Sequence, residues 1–400
     1  TFKKLRAFRL VIDYRPKFII SVVILGVGVA VLEGVGLSFI YPIVQISQSD
    51  SGVSGGGPIM QSFITIYEYF DIPFALGYLI AGVAIIMTIR FTMSFLVGWL
   101  GLVLSKQYEK HLRSTAFNQA LDAEIEYCDS TSTDEIINSI ITETRYSAGT
   151  IQDGVSMLET LFLILMYASV MFYIDSSMTL FAVTLLGGIT VVIRVIIEPA
   201  VTVGSRVAEA NESVQAMVQS GVQGIRDVKL FGLNSELSSS FSNAIEQYTE
   251  SEIDLSQNKI AIRNGFQLAA ALTIFALIYI GFTYTGLALG ELGIFLIAMF
   301  QIAPKVSKFN KKLYSVEGNI SHLIRTEKFL NNLDSSKEDS GSRPVSSISK
   351  IEFKNVKFSY DEETIIDDIS FEIQRGQFIS FVGQSGAGKS TIMSLLARMY

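Results

Sequence analysis

The polar and apolar positions divide this chain into two grammars. Over most of its length, long apolar blocks alternate with charged stretches, and the telling feature is where lysine and arginine are missing. No cation occurs from 18 to 89, from 146 to 193 or from 264 to 304. Each gap closes on cations at both ends: Lys17 and Arg90, Arg145 and Arg194, Arg263 and Lys305. A gap long enough to cross a bilayer and return predicts a helical hairpin, and the positive-inside rule places its charged ends in the cytoplasm. The 41 residues from 264 to 304 hold two helices of about 18 residues, each spanning roughly 27 Å, and a short turn near 286–290. The middle gap turns at Asp175-Ser176-Ser177, where Ser or Asp can cap the returning helix. The first gap, 72 residues from 18 to 89, has room for a real outer loop at 47–71, with three glycines at 55–57 and then Pro58. The outer turns hold Asp50, Glu68, Asp71, Asp175 and Glu291 but no cation. The pattern therefore predicts six spans with both termini inside.

Between hairpins the chain stays helical but turns polar, at 104–121, 135–151 and 201–222. A helix from about 73 to 121 would be roughly 70 Å long, more than twice the hydrocarbon thickness. About half of it would project into the cytoplasm, and such projections must reach something. A linker rich in Ser, Asp, Lys and Pro follows at 334–347, with little to bury. After it the period changes. Residues 351–358 and 369–373 alternate as strands do, 377–382 read as an apolar strand, 383–388 as a loop, and a helix is expected from Lys389 to the end.

Composition sharpens this only a little. Charged residues make up 17% of the chain, against about 25% in an average soluble domain. The net charge of −7 leaves no basic surplus for nucleic acid. The single cysteine, Cys128, excludes an intrachain disulfide and reads as an ordinary loop or helix residue. The basic N-terminus (Lys3, Lys4, Arg6, Arg9, Arg15, Lys17) precedes an apolar stretch too long for a signal peptide. Both ends of the sequence look trimmed.

The chemistry sits in Gly383-Gln384-Ser385-Gly386-Ala387-Gly388-Lys389-Ser390, which fits the phosphate-loop pattern G-x-x-x-x-G-K-[ST] between an apolar strand and a helix. Glycines let backbone N–H groups curl around phosphate oxygens, and the helix N-terminus adds its positive dipole end. Lys389 supplies charge to the β- and γ-phosphates, Ser390 a hydroxyl to Mg²⁺, and Thr391 a further hydroxyl to phosphate.

From 353 to 391 the chain resembles the start of an ABC-type nucleotide-binding domain. The V-x-F-x-Y run of Val356, Phe358 and Tyr360, the Ile369-Ser370-Phe371 segment and the Arg375-Gly376-Gln377 turn match that family's approach to the loop. The resemblance implies that Tyr360 stacks on adenine. Six spans with long cytoplasmic extensions ahead of it resemble an ABC exporter of the type IV fold. The fold class expected is thus a membrane all-α six-helix ABC exporter transmembrane domain (1–333), the linker (334–347) and the N-terminal part of an α/β P-loop ATPase domain (348–400). The resemblance further implies two coupling loops, near 122–135 and 221–237. The run Gly224 to Gly232 looks like a second coupling helix with Ile225, Val228 and Phe231 on one face, particularly as in lipid-linked oligosaccharide flippases. It implies ATP and Mg²⁺ as cofactors, and a second copy or a paralogous half-transporter as partner. The cargo it implies is hydrophobic or lipid-linked, moved across the cytoplasmic membrane. The family's catalytic glutamate and switch histidine would lie beyond Tyr400, so the 400 residues alone are expected to hydrolyse no ATP. A non-transporting, ATP-gated regulator or channel on the same scaffold, and a membrane-tethered P-loop kinase, are the competing readings.

Two intramembrane charges stand out. Arg90 is expected in the inner leaflet, either facing a cavity where it contacts an anionic headgroup or snorkelling or pairing with a carboxylate. Arg194, Arg263 and Lys305 fall at similar depths and could complete a cationic ring. Glu33, flanked by Gly34 and Gly36, reads as a counter-ion, a gating residue or a hydrogen-bonded structural one. The glycines at 26, 28, 34 and 36 suit close helix packing. His111 and His322 are solitary and carry no metal expectation.

Overall fold

The computed structural model describes residues 15–48, 58–284, 289–338, 347–360 and 363–400. It forms two compact units, Thr1–Ser114 with Ile137–Lys328, and Thr115–Ile136 with Phe329–Tyr400. Along the chain the helices are α1 (Pro16–Ser38), α2 (Ile40–Gln48), α3 (Pro58–Tyr69), α4 (Leu76–Leu121), α5 (Ile125–Ser130), α6 (Thr133–Asn138), α7 (Thr144–Ile174), α8 (Ser176–Ile196), α9 (Ala200–Gln223), α10 (Ile225–Phe231), α11 (Asn234–Tyr284) and α12 (Leu289–Ser335). Strands β1 (Lys350–Tyr360) and β2 (Glu363–Gln374) and helix α13 (Lys389–Leu396) follow.

Among the described residues, five stretches are long and apolar enough to cross a bilayer: Pro16–Ile43, Leu76–Leu121, Thr133–Ile174, Ser176–Ile196 and Asn234–Thr283. The remaining expected span falls on the first part of α12. Its outer turn, at 285–288, and residues 49–57 of the first outer loop lie outside the described residues. Phe95, Trp99, Tyr173, Val195, Phe275 and Phe282 are all exposed. A chain that leaves this much apolar surface open has hydrocarbon as its solvent, and helices satisfy their own backbone groups there.

Packing within the first unit follows small residues and large apolar ones. Val22, Val29, Val97, Val155 and Leu163 join α1, α4 and α7 in one core, and Leu37, Tyr167, Met178, Leu277 and Phe295 join α1, α7, α8, α11 and α12 in another. The α1 glycines let neighbouring helices close in: a Cβ at Gly28 would come within 2.5 Å of the Met93 methyl on α4. At the middle turn, Asp175 Oδ1 accepts the Met178 N–H at 2.8 Å and caps α8, as its position predicts. A π-helical turn, Ser139–Glu143, leads into α7; the sequence gives no sign of it.

Two expectations are corrected and one is filled in. Within the outer loop expected at 47–71, residues 58–69 form α3. Met60, Phe63 and Tyr67 lie on one helical face and are buried, Phe63 and Tyr67 against Phe39 and Leu79, so apolar burial organises the segment. Residues 377–382 are not a strand: among the described residues no strand pairs with them, and Phe378 and Val382 are 94% and 92% exposed. An apolar run becomes a strand only when a ladder partner takes its N–H and C=O groups. Finally, α13 ends at Leu396 instead of running to the end, and Arg398 beyond it has a left-handed backbone, φ 56°.

In the second unit β1 and β2 pair antiparallel, with Phe353 opposite Phe371, their rings stacked at 4.5 Å. Strand β2 begins earlier than its alternation indicates. Bulges at Asn355 and Asp368 bend the pair, tied by Asn355 N–H to Ser370 Oγ and Asn355 Nδ2 to Asp368 Oδ1, both 2.8 Å. The end of α12 meets the segment between α4 and α5: Glu124 N–H donates to Ser336 O at 2.8 Å and Glu338 N–H to Asp122 O at 2.9 Å.

Candidate nucleotide-binding site and intramembrane charges

The loop from Gly383 to Gly388 delivers the chain directly into α13. Gly386 and Gly388 take φ values of 84° and 77°, a left-handed conformation that a Cβ disfavours. At Gly388 space is tight as well, since a Cβ would lie 3.3 Å from Ile365. Lys389 folds back over the loop, its Nζ donating to Gly383 O at 2.9 Å and Gln384 O at 2.6 Å. The ammonium is thus held by neutral carbonyls and has no carboxylate partner among the described residues. Ser385 and Ser390 are exposed, whereas Thr391 is buried in the helix face. An anion entering this loop would meet free helix N–H groups, a cation and an accessible hydroxyl together. These are the donors a polyphosphate needs, and Ser390 is placed to offer an oxygen to its metal ion.

Tyr360 ends β1, 37% exposed, and packs edge-on against Phe358 and Tyr400, at 4.9 and 5.2 Å between ring centres. One residue here was invisible to sequence reasoning. Tyr400 donates its hydroxyl to Asp129 of α5, 271 positions away, so no local pattern could announce it. That carboxylate, and then Tyr360, hold the Tyr400 phenol well above its usual range. The first loop folds as two short helices, α5 and α6, and α5 is bonded to Tyr400, four residues past the end of the phosphate-loop helix.

The second loop forms α10, ended by Gly232 at φ 70° in the usual helix-stopping geometry. Ile225 and Phe231 are exposed, and Val228 half-buried.

In the first unit, Arg90 and Glu33 come together. Arg90 Nε lies 2.5 Å from Glu33 Oε2, and Tyr167 donates its hydroxyl to Glu33 Oε1. Arg90, Glu33 and Tyr167 are 7%, 8% and 1% exposed. No acceptor lines up with the Nε–H itself, so the contact is an ion pair more than an aligned hydrogen bond. The guanidinium also lies over the Phe91 ring, 4.4 Å from its centre. Arg90 is thus paired with a carboxylate, one of the arrangements expected of it. Lys305 is within electrostatic reach of Glu33, Arg90 and Glu159, and Ser94 donates to Glu159 at 2.6 Å. Arg194 instead reaches Glu317 at 3.4 Å. His322 is buried, its Nδ1 2.8 Å from Glu143 Oε2 and its ring stacked on Tyr146.

Comparison with known proteins agrees with this organisation. A model of the ABC transporter transmembrane region matches residues 19–303, and a second ABC transporter model matches residues 366–400. The chain is 24% identical over 391 residues to an ATP-dependent lipid A-core flippase of Pseudoalteromonas atlantica, covering 94% of this chain and 63% of that protein. A protein of the same name from Legionella pneumophila is 24% identical over 365 residues, 88% of this chain and 60% of its own length. An uncharacterized ABC transporter ATP-binding protein, YwjA of Bacillus subtilis, is 26% identical over 376 residues, 86% and 62% of the two chains. The chain thus spans less than two thirds of the length of these relatives. With bilayer-long helices ahead of a shaped phosphate loop, and a family match over most of its length, the chain belongs to the ABC transporter family, with the type IV exporter architecture.

Proposed function

We propose that the full protein is an ATP-driven exporter or flippase of the cytoplasmic membrane that moves a hydrophobic or amphipathic cargo, of which a lipid or lipid-linked oligosaccharide is the class favoured. The observation that carries this is the phosphate loop, with Lys389 resting on exchangeable carbonyls, in a chain that also holds bilayer-long helices. The flippase names of the relatives support a lipid cargo.

In this reading the domains divide at 1–333, 334–347 and 348–400, with both termini and the ATPase domain in the cytoplasm. Gly383, Gln384, Ser385, Gly386, Ala387 and Gly388 wrap the phosphates, Lys389 and Thr391 contact them, Ser390 holds Mg²⁺, and Tyr360 stacks on adenine. Bound ATP supplies the phosphoanhydride whose cleavage drives transport, and this chain's part is to bind and orient it. Helix α10 presents Ile225 and Phe231 to an ATPase domain, and the working unit pairs this chain with a second copy or a paralogous half-transporter. Arg90, with Lys305 close by, offers charge to an anionic headgroup, and Glu33 serves as its counter-ion until cargo arrives.

The test is reconstitution of the full-length protein in liposomes with a fluorescent anionic lipid. ATP-dependent movement of the label between leaflets, lost in Lys389→Ala, is expected. Lipid-independent ATP turnover with no label movement would overturn the reading.

A further inference from the structure

A cavity of about 310 Å³ lies in the first unit. It is bordered by α7, α9, α11 and α12. Its size admits about ten waters, or one small polar molecule. Gly204 and Gly318 form part of its wall, so closely apposed that a Cβ at Gly204 would sit 2.5 Å from the Gly318 carbonyl oxygen. Six polar side chains line it: Tyr146, Glu252, Lys259, Ser315, Asn319 and His322. His322 is committed to Glu143 and stacked on Tyr146, which stiffens one side. Among the described residues, Glu252, Lys259, Ser315 and Asn319 make no direct hydrogen bond or ion pair, and Lys259 feels Glu252 and Asp153 only at longer range. Half-buried opposite charges that face one cavity without touching leave both open to a small polar ligand.

We propose that this cavity binds a small soluble zwitterion carrying a phosphate and an ammonium, with the chemistry of phosphoethanolamine. Lys259 takes the anionic end, aided by Ser315 and Asn319, and Glu252 takes the ammonium. The two charges are seven residues apart on α11, about 10 Å of helix rise, and their long side chains can converge on one small ligand. Depth separates a soluble ligand from a lipid headgroup. Lys259 lies four residues, about 6 Å, to the cytoplasmic side of Arg263, and Glu252 about 16 Å. The polar layer of a bilayer is only about 5–7 Å thick on each side, so a leaflet headgroup reaches Lys259 but not Glu252.

The experiment uses full-length protein in phosphatidylcholine nanodiscs, always carrying Lys389→Ala so that the phosphate loop adds no phosphate signal. Calorimetry compares O-phosphoethanolamine, inorganic phosphate and ethanolamine. O-phosphoethanolamine is expected to bind about tenfold or more tighter than either part, because both ends make charge-assisted contacts. Lys259→Gln should remove binding of it and of phosphate. Glu252→Gln should reduce it to the level of phosphate alone. Ser315→Met, which fills the cavity, should block both anions while the melting temperature of the unliganded protein holds, and this guards against a folding artefact. Absence of binding, binding indifferent to Lys259→Gln, or a signal only when phosphatidylethanolamine replaces the lipid would overturn the proposal.

Discussion

Two cations in this protein are held in opposite ways. Arg90 is buried against a full carboxylate, Glu33, which a tyrosine also engages. Lys389 stands over an exposed loop and leans on two neutral backbone carbonyls. In a medium without water, an unpaired Arg is costly, so its partner is built into the fold. In water, carbonyls are weak competitors for an ammonium, and a polyphosphate displaces them at little cost. The difference teaches that a pre-paired charge fixes helices in register, and a loosely held one awaits a ligand.

The sharpest way to break this comparison is to remove Lys389. Lys389→Ala in the full-length protein should lower ATP turnover by about a hundredfold or more, with the melting temperature of the nucleotide-free protein barely changed. A large loss of stability would show that the lysine is structural after all.

Next comes the buried pair. Arg90→Met strands Glu33 and should destabilise the protein by about 3–5 kcal/mol, read as a lower melting temperature in detergent. The double variant Arg90→Met with Glu33→Met should recover most of that loss. If its stability returns but movement of an anionic lipid does not, Arg90 serves cargo as well as register. If lipid movement also returns, the pair is structural only.

Gly388→Ala tests the loop's shape without touching charge. Forcing a Cβ into φ 77° beside Ile365 costs about 1–2 kcal/mol, so ATP should bind roughly tenfold more weakly in a fluorescent-nucleotide titration. An unchanged affinity would mean that the loop reshapes on binding.

The smallest effect belongs to Tyr400→Phe, which deletes one exposed hydrogen bond to Asp129. A loss of about 1 kcal/mol or less is expected. It should appear as weaker stimulation of ATP turnover by lipid, with basal turnover intact. Equal loss of both would place Tyr400 in nucleotide binding, through Tyr360, and not in coupling.

Much of this was legible from spacing. The cation gaps announced the membrane helices, because bilayer thickness and charge exclusion act on every residue of a span. Asp175 announced its cap, and the loop from Gly383 to Ser390 its own shape, because both interactions are local. Residues 377–382 misled, since a strand is a property of two segments and the run alone shows only one. Segment 58–69 hid its helix, since the face formed by Met60, Phe63 and Tyr67 gains meaning only when Phe39 and Leu79 stand opposite.

The chain by itself determined which segments are long and apolar enough to enter the membrane and where the phosphate-loop backbone lies. Those follow from periodicity, hydropathy and short-range backbone geometry, which operate over a few residues. Only the tertiary structure decided that Arg90 belongs to Glu33 and Tyr167, that His322 belongs to Glu143, and that Tyr400 reaches Asp129. Such pairings depend on which helices are neighbours, and no interval along the sequence encodes a neighbour met through space.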